Sequence, residues 1–253
     1  MKNSIKKNIP KFILRSIQNI ILFYRLIFYR YPSFYCHVCS KNTKGYLTGY
    51  YPKLTLTCIN CYSEGKQRII SNYLNSYNFT HKNILHFAPE NCLIDYIKLK
   101  KKYNEYVLAD INPTKEIKKI DIENIDFPEN YFDLIICSHV LEHVDDELAI
   151  KNLKRVLKKD GIALLMFPII DSWDKTYKNN NIKSNNDREL HFLQHDHLHL
   201  YGKDVEQKLS GNGFELERVT PFGEECVNFG INQGESLFVL KKNEDFDSSS
   251  VQN

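Results

Sequence analysis

The sequence predicts an α/β protein with a largely parallel sheet, preceded by a small cysteine-containing module and a basic helix. Three observations lead to this prediction. From residue 83 onward, short apolar runs alternate with helical stretches, as in stacked strand–helix–strand units. Four cysteines form two closely spaced pairs ahead of that region, and residues 9–31 carry an amphipathic pattern. We expect four segments, namely 1–34, 35–80, 81–242 and a disordered tail at 243–253.

Charge is distributed unevenly along the 253 residues. Residues 1–82 contain 13 Lys or Arg against the single acid Glu64, whereas residues 83–253 contain 21 against 30. With 42% hydrophobic and 26% charged residues, the composition excludes a disordered chain. The basic front part is typical of contact with an anionic membrane or nucleic acid, although a solvated basic face has the same composition.

Residues 1–34 are predicted to form a basic amphipathic helix. Between residues 9 and 31, cationic and amide side chains fall on one arc, and isoleucine and aromatic side chains lie mostly opposite. The longest uncharged run, 16–24, is shorter than the ~20 residues that span a bilayer. We expect peripheral membrane contact or packing on the protein itself, with nucleic acid the less favoured partner. Since no secretory signal is seen, a cytoplasmic location is expected, with the inner face of the membrane as a variant of it.

Residues 35–80 are predicted to form a zinc-ribbon-like module. Two C-x2-C pairs separated by 18 residues match the spacing of a four-thiolate zinc site. The predicted ligands are Cys36, Cys39, Cys58 and Cys61. Four thiolates leave no open coordination position, so the ion is expected to be structural. Iron or a redox-active pair is the alternative.

The elements of residues 81–242 follow from apolar runs and capping residues. Strands are expected at 83–88, 105–109, 132–137 and 162–167, and a final antiparallel pair at 214–220 and 236–241. Asp145 or Asp146 should cap a helix that Gly161 ends in the left-handed conformation. Ligands bind beyond the carboxyl ends of strands in such sheets, which makes Asp110, at the end of the second strand, a candidate ribose ligand. A simple turn or cap is the alternative role for this residue.

The segment DIENIDFPENYFDLIICSHVLEHVDDELAIKNLKRVLKKDGIALLMFP resembles the central part of class I S-adenosylmethionine-dependent methyltransferases, of the small-molecule type 11 group. The resemblance is close over residues 84–168 and loose to residue 242. It implies a Rossmann-like seven-stranded sheet with helices on both faces, and S-adenosylmethionine as cofactor. By this resemblance Asp110 binds the ribose, Asp121 the adenine amino group and Ile122 the ring. It also places Ile111, Ser138 and His139 near the cofactor or its methyl group.

The loop after the first strand departs from that family's pattern. ILHFAPENC stands where a glycine-rich sequence is expected. His86 occupies the acidic position, while Ala88 and Glu90 occupy two glycine positions and Cys92 a third. Because glycine allows close approach of the backbone to a ligand, the loop must follow another path. We keep His86, Ala88 and Glu90 as cofactor-binding residues, with Glu90 reaching the cofactor's ammonium group; loss of cofactor binding is the alternative.

A histidine-rich stretch follows residue 168, with imidazoles at positions 191, 195, 197 and 199. Alternation at the last three positions would direct them to one side of an extended strand, as in a metal site. The preferred interpretation is that His195 or His197, oriented by Asp196, removes a proton from the acceptor. A buried hydrogen-bonding role is the third interpretation.

The leading hypothesis is methyl transfer to an acceptor oxygen, with His139, His195 and His197 as catalytic residues. A zinc module ahead of a methyltransferase domain is similar to enzymes that methylate nucleotide-linked sugars. The expected acceptor is therefore a small molecule, or a sugar or phosphoryl precursor of cell-envelope polysaccharide. A ribosomal RNA base methyltransferase and a non-catalytic adaptor are the alternatives, and the small number of Arg, 7 against 27 Lys, disfavours RNA.

Overall fold

The computed structural model describes residues 33–50, 53–114 and 116–243, together with Ile20, Phe23 and Tyr24. The predicted basic helix lies outside the described residues except for these three, which are helical and exposed. The predicted tail lies outside them beyond Asn243. None of the helices in the described ranges combines the length and hydropathy that a bilayer crossing requires.

The cysteine module consists of two small antiparallel hairpins followed by a helix. Its elements are β1 (Phe34–Cys36), β2 (Lys41–Thr43), β3 (Gly45–Tyr50), β4 (Lys53–Cys58) and α1 (Gly65–Leu74). The first turn of α1 is stabilised by Gln67, whose side chain accepts a hydrogen bond from the backbone N–H of Glu64 at 2.7 Å.

The second part of the chain alternates strands and helices, as predicted. Its first half contains β5 (Asn83–Phe87), α2 (Asn91–Lys100), β6 (Glu105–Asp110), β7 (Lys118–Lys119), β8 (Phe132–Ser138), a 3-10 turn (Leu141–His143), α3 (Asp146–Val156) and β9 (Leu157–Met166). Its second half contains β10 (Tyr177–Lys178), α4 (Asn185–Phe192), β11 (His199–Leu200), α5 (Asp204–Gly211), β12 (Phe214–Val219), α6 (Glu224–Phe229) and β13 (Leu237–Lys242).

Seven strands form one sheet in the order β12-β13-β9-β8-β5-β6-β7. β13 runs antiparallel to both neighbours, and the pairs from β9 to β7 are parallel. The predicted α/β fold with a mostly parallel seven-stranded sheet is confirmed, as is the antiparallel final pair.

Both faces of the sheet are covered, which explains why β8 is buried along its whole length. Alternate residues of β8 belong to two separate hydrophobic clusters, Ile135 to one and Ile136 to the other. Residues of α3 and α5 pack in the first cluster, and residues of α1 and α2 in the second.

The start of α3 is as predicted, but its end is not. The Asp145 carboxylate accepts hydrogen bonds from the N–H groups of Glu147 and Leu148, at 3.1 and 3.3 Å. The prediction that Gly161 ends this helix in the left-handed conformation is wrong, because α3 ends at Val156 and Gly161 lies inside β9 without a positive φ. A Cβ at Gly161 would lie 2.8 Å from the Leu157 side chain, 3.0 Å from the Lys158 carbonyl oxygen and 3.1 Å from the Phe132 carbonyl oxygen. The glycine therefore permits the close packing at the point where β8 and β9 shift register.

The cysteine module packs on the connection between β12 and β13. The rings of His37 and Phe229 lie 4.3 Å apart, and the Asn232 side-chain amide donates to the Leu54 carbonyl oxygen at 2.9 Å. Phe34 shares a hydrophobic cluster with residues of β13. The module therefore borders the carboxyl edge of the sheet; the boundary between residues 80 and 81 stays a prediction.

Candidate functional site

Three parallel strands end in register at one edge of the sheet. Phe87 on β5 pairs with Ala109 on β6 and with Cys137 on β8. The next residues along the chain are consequently side by side, and they are Ala88, Asp110 and Ser138. The strand order reverses around β5, which is where ligands bind in open α/β sheets. The structure thus brings together three of the predicted site residues.

The loop after β5 turns without glycine. Ala88 takes the left-handed conformation, with φ of 45°, and its N–H donates to the Ala109 carbonyl oxygen at 2.9 Å. Fully buried His86 lies 2.8 Å from the Tyr106 hydroxyl through Nδ1 and 3.5 Å from the Glu90 carboxylate through Nε2. His86 thus reaches a ligand at this edge only through Glu90.

Glu90 is held by two side chains at the start of α2. Besides His86, the Gln67 amide donates to its carboxylate at 3.0 Å. Burial acts to raise the pKa of Glu90, but the contacts from His86 and Gln67 outweigh it, and the pKa lies below its ordinary value. Glu90 is therefore an ionised carboxylate next to the strand edge.

The remaining predicted cofactor residues differ in exposure. The half-buried Asp110 carboxylate accepts from the Asn112 N–H at 2.7 Å, and the exposed Asp121 carboxylate accepts from the Glu123 N–H at 2.9 Å. Ile111 is 51% exposed, whereas Ile122 is 3% exposed and packs in the core. Burial leaves Ile122 little surface for a ring contact; the assigned roles of these residues stay predictions.

A cavity of about 880 Å³ lies on the β8–β9 side of this edge. Its size suits a small-molecule ligand. Four separate parts of the chain line it: the cysteine module, the turn after β8, residues 166–171 with the histidine-rich stretch, and the loop before β13. The polar groups of the lining include Glu64, Lys66, His139, Glu142, His143, Asp171, Gln194, His197, Asn232, Gln233 and Glu235. Asp110 and Asp121 are not part of this lining.

His139 forms a dyad with Glu142 at the mouth of this cavity. The backbone N–H of His139, with φ of 55°, donates to the Met166 carbonyl oxygen at 2.7 Å. Its Nδ1 lies 3.1 Å from Oε1 of Glu142, a side chain that is 1% exposed. Burial acts to raise the pKa of Glu142, but the hydrogen bond from His139 outweighs it and lowers the pKa. A buried carboxylate therefore orients an imidazole that faces the cavity.

The histidine-rich stretch does not form the predicted strand. Residues 193–196 turn, so His195 is exposed and does not line the cavity, whereas His197 and His199 are buried. The prediction that alternate imidazoles point to one side is wrong for this reason. His199 instead lies 3.8 Å from the Asp146 carboxylate, away from the cavity.

Asp196 contacts a different histidine from the one expected. The His197 Nδ1 lies 3.0 Å from the Phe192 carbonyl oxygen, and burial lowers the pKa of His197. Asp196 lies 3.4 Å from Nδ1 of His143. The proposed orientation of His197 by Asp196 is therefore wrong. Sequence reasoning gave no role to His143, although its position in the turn that follows β8 was a usable signal.

The four predicted cysteine ligands converge. All four Sγ atoms lie within 4.8 Å of one another, with Cys36 to Cys61 at 3.6 Å and Cys39 to Cys58 at 3.9 Å. Zn–S bonds of ~2.3 Å in a tetrahedron require S–S edges of about 3.8 Å. The arrangement fits a zinc ion, whose identity stays a proposal.

Arg68 supports a charged metal centre. This fully buried guanidinium donates to the backbone carbonyls of Ser63, Leu56 and Gly230 and lies within Coulombic range of the cysteine cluster. A divalent ion with four thiolates carries two negative charges, which a buried cation offsets. Cations are rarely buried without such a partner.

Residues 80–165 match a family model described as a methyltransferase domain, over about a third of the chain. Among solved structures, an S-adenosylmethionine dependent methyltransferase from Mesorhizobium loti is 11% identical, with a TM-score of 0.48, over 68% of this chain and 97% of that one. The [4+2]-cyclase SpnF is 10% identical, with a TM-score of 0.49, over 70% and 81%. The CurJ carbon methyltransferase is 15% identical, with a TM-score of 0.47, over 71% of this chain and 53% of that one, so the chain spans about half of its length. No curated protein gave a significant match.

Proposed function

We propose that this chain is an S-adenosylmethionine-dependent methyltransferase that methylates an oxygen atom of a small molecule. One observation carries the proposal. The segment that matches a methyltransferase domain contains three strands that end in register at Ala88, Asp110 and Ser138, beside a cavity that begins at His139. A cofactor lying across these ends would have its reactive group directed toward the cavity.

The residues at the strand ends suit the parts of this cofactor. Asp110 would accept hydrogen bonds from the ribose hydroxyls, and Asp121 from the adenine amino group. Glu90 would hold the ammonium group. The Oγ of Ser138 is a buried atom without a hydrogen-bond partner in the described part of the chain, as expected of a group that faces a ligand. The bound cofactor supplies a methyl group on a sulfonium leaving group.

We assign the general base to His139. Because Glu142 accepts from Nδ1, the ring can take the acceptor's proton at Nε2. His139 follows Ser138 directly, so an acceptor that His139 binds in the cavity would lie next to the methyl group of a cofactor at the strand ends. His195 is exposed and outside the cavity lining, and this assignment gives it no part in proton transfer.

The cavity favours a hydroxyl-rich acceptor. Its lining contains carboxylates and side-chain amides, which hydrogen-bond hydroxyl groups, and only one lysine, Lys66. Such an acid-rich lining repels a polyanion such as ribosomal RNA. We therefore propose a sugar as the acceptor, either free or as the sugar part of a phosphoryl-linked precursor of cell-envelope polysaccharide whose phosphoryl group stays outside the cavity.

Turnover with a panel of acceptors tests this proposal. The full chain is incubated with S-adenosylmethionine and nucleotide-linked sugars or ribosomal RNA, and S-adenosylhomocysteine is measured. Turnover with a sugar acceptor at a rate that does not depend on salt concentration supports the proposal. Turnover with RNA at a rate that falls steeply as the salt concentration rises contradicts it. Absence of cofactor binding would favour the adaptor.

A paired substitution tests the ribose contact. Asp110→Ala should weaken cofactor binding about 10-fold or more, because hydrogen bonds to a charged group contribute ~1.5–3 kcal/mol. Asp160→Ala is the matched control, since Asp160 is exposed near the opposite end of β9. Equal affinities of the two variants, measured by calorimetry, would contradict the assignment of Asp110.

A further inference from the structure

Three side chains of the cavity wall form a cluster with the donor types of a metal site. Glu142, His143 and His197 each place one ligand atom within 4.8 Å of the others, and all three line the cavity. The rings of His143 and His197 lie 4.7 Å apart at an interplanar angle of 82°. Two of the residues belong to the turn after β8. The third is tied to that turn by the Leu198 N–H, which donates to the Glu142 carbonyl oxygen at 2.8 Å.

The outer contacts leave one donor atom of each side chain for a ligand. Nδ1 of His197 lies 3.0 Å from the Phe192 carbonyl oxygen, and Nδ1 of His143 lies 3.4 Å from the Asp196 carboxylate. Both contacts favour the tautomer with the lone pair on Nε2. Metal-bound histidines commonly donate their other ring nitrogen to a carbonyl or a carboxylate in this way.

The carboxylate provides an independent sign of a missing ligand. Glu142 is 1% exposed, and Oε1 is engaged by His139 at 3.1 Å. Its other oxygen, Oε2, is buried without a hydrogen-bond partner in the described part of the chain. A buried carboxylate oxygen is expected to have a partner, so this atom points to a ligand.

We propose that Glu142, His143 and His197 bind a divalent first-row transition-metal ion in the wall of the cavity. Two imidazoles and one carboxylate favour zinc, iron or a similar ion over magnesium or calcium, which prefer oxygen ligands. Three protein ligands leave open coordination positions, unlike the four-cysteine site. If the proposed methyl transfer is correct, an acceptor oxygen takes one of these positions beside His139.

Metal binding to the full chain tests this site without reference to activity. Protein loaded with one zinc ion per chain is titrated with Co²⁺ alone, using calorimetry and absorption spectroscopy. We expect one further equivalent to bind without the charge-transfer band of cobalt–thiolate bonds. His143→Gln, His197→Gln and Glu142→Gln should each raise the dissociation constant by more than the ~10–100-fold that loss of an outer-shell partner costs. His191→Gln should leave it unchanged, since His191 is exposed and outside the cluster.

The outcomes separate this site from the proposed function. Absence of a second bound equivalent of Co²⁺ in the wild-type protein at millimolar Co²⁺ would overturn the site. An affinity for Co²⁺ in the His143→Gln variant equal to that of the wild type would also overturn it. The His143 side chain is exposed enough to be replaced without unfolding the protein. Thermal unfolding of each variant is recorded as a check of folding. Cofactor binding, measured in the same samples without Co²⁺, reports on the methyltransferase proposal separately.

Discussion

Replacing Arg68 by methionine should destabilise the protein strongly. The guanidinium is fully buried and donates to the carbonyls of Ser63, Leu56 and Gly230, which lie in three different parts of the chain. The Ser63 carbonyl also accepts from the Cys58 N–H, at 2.9 Å, so two carbonyls depend more directly on Arg68. An unsatisfied buried polar group costs ~1–3 kcal/mol, which gives a loss of about 2–6 kcal/mol.

The loss of charge adds a second effect to this variant. Methionine fills a similar volume but leaves the negative metal–thiolate centre without a buried cation, so a chelator should remove the metal more readily. Urea unfolding of the metal-loaded chain, followed by circular dichroism, measures the stability. Lys102→Met is the control, because this exposed cation should change the free energy of unfolding by less than about 0.5 kcal/mol. A comparably small loss for Arg68→Met, with unchanged metal retention, would refute the reasoning.

Three further substitutions test other parts of the structure. Cys58→Ser should abolish binding of the one metal ion at the cysteine site, because three thiolates remain, whereas Cys92→Ala should retain it; metal analysis showing equal content contradicts this. Ala88→Gly should raise the free energy of unfolding by up to ~1 kcal/mol, because it removes the strain of a left-handed alanine. A thermal shift in the opposite direction would mean that the turn is not strained. Burial lowers the pKa of His199, so the unfolded state binds a proton at this residue at a higher pH than the folded state does. The stability that the neutral, buried imidazole contributes is therefore present above the ordinary histidine pKa and is lost as the pH falls below it. The free energy of unfolding of His199→Gln should therefore fall less than that of the wild type between neutral and acid pH. An equal fall in the two proteins, measured by denaturation at each pH, would contradict this.

Local patterns in the sequence predicted the sheet and its edge well. The apolar runs of β5, β6 and β8 lie between charged or capping residues, so their ends, and with them Asp110 and Ser138, could be placed to within one residue. The cysteine spacing likewise predicted the convergence of four Sγ atoms.

Features that depend on contacts between distant segments could not be predicted in the same way. Gly161 follows the charged run KKD and has the sequence context of a helix end, but the close approach of β8 gives it another role. The turn at residues 193–196 separates His195 from His197 and moves Asp196 to His143. The cavity wall combines Lys66 of the cysteine module with residues more than 70 positions later in the chain, a juxtaposition that no local pattern contains.

A crystal structure of the full chain with S-adenosylhomocysteine is the most direct test of the proposed cofactor site. We predict that the ribose hydroxyls lie within hydrogen-bonding distance of the Asp110 carboxylate, and that the sulfur lies near Ser138 and faces the cavity at His139. Density for the nucleoside elsewhere, or a strand edge blocked by the Ala88 turn, would contradict the account.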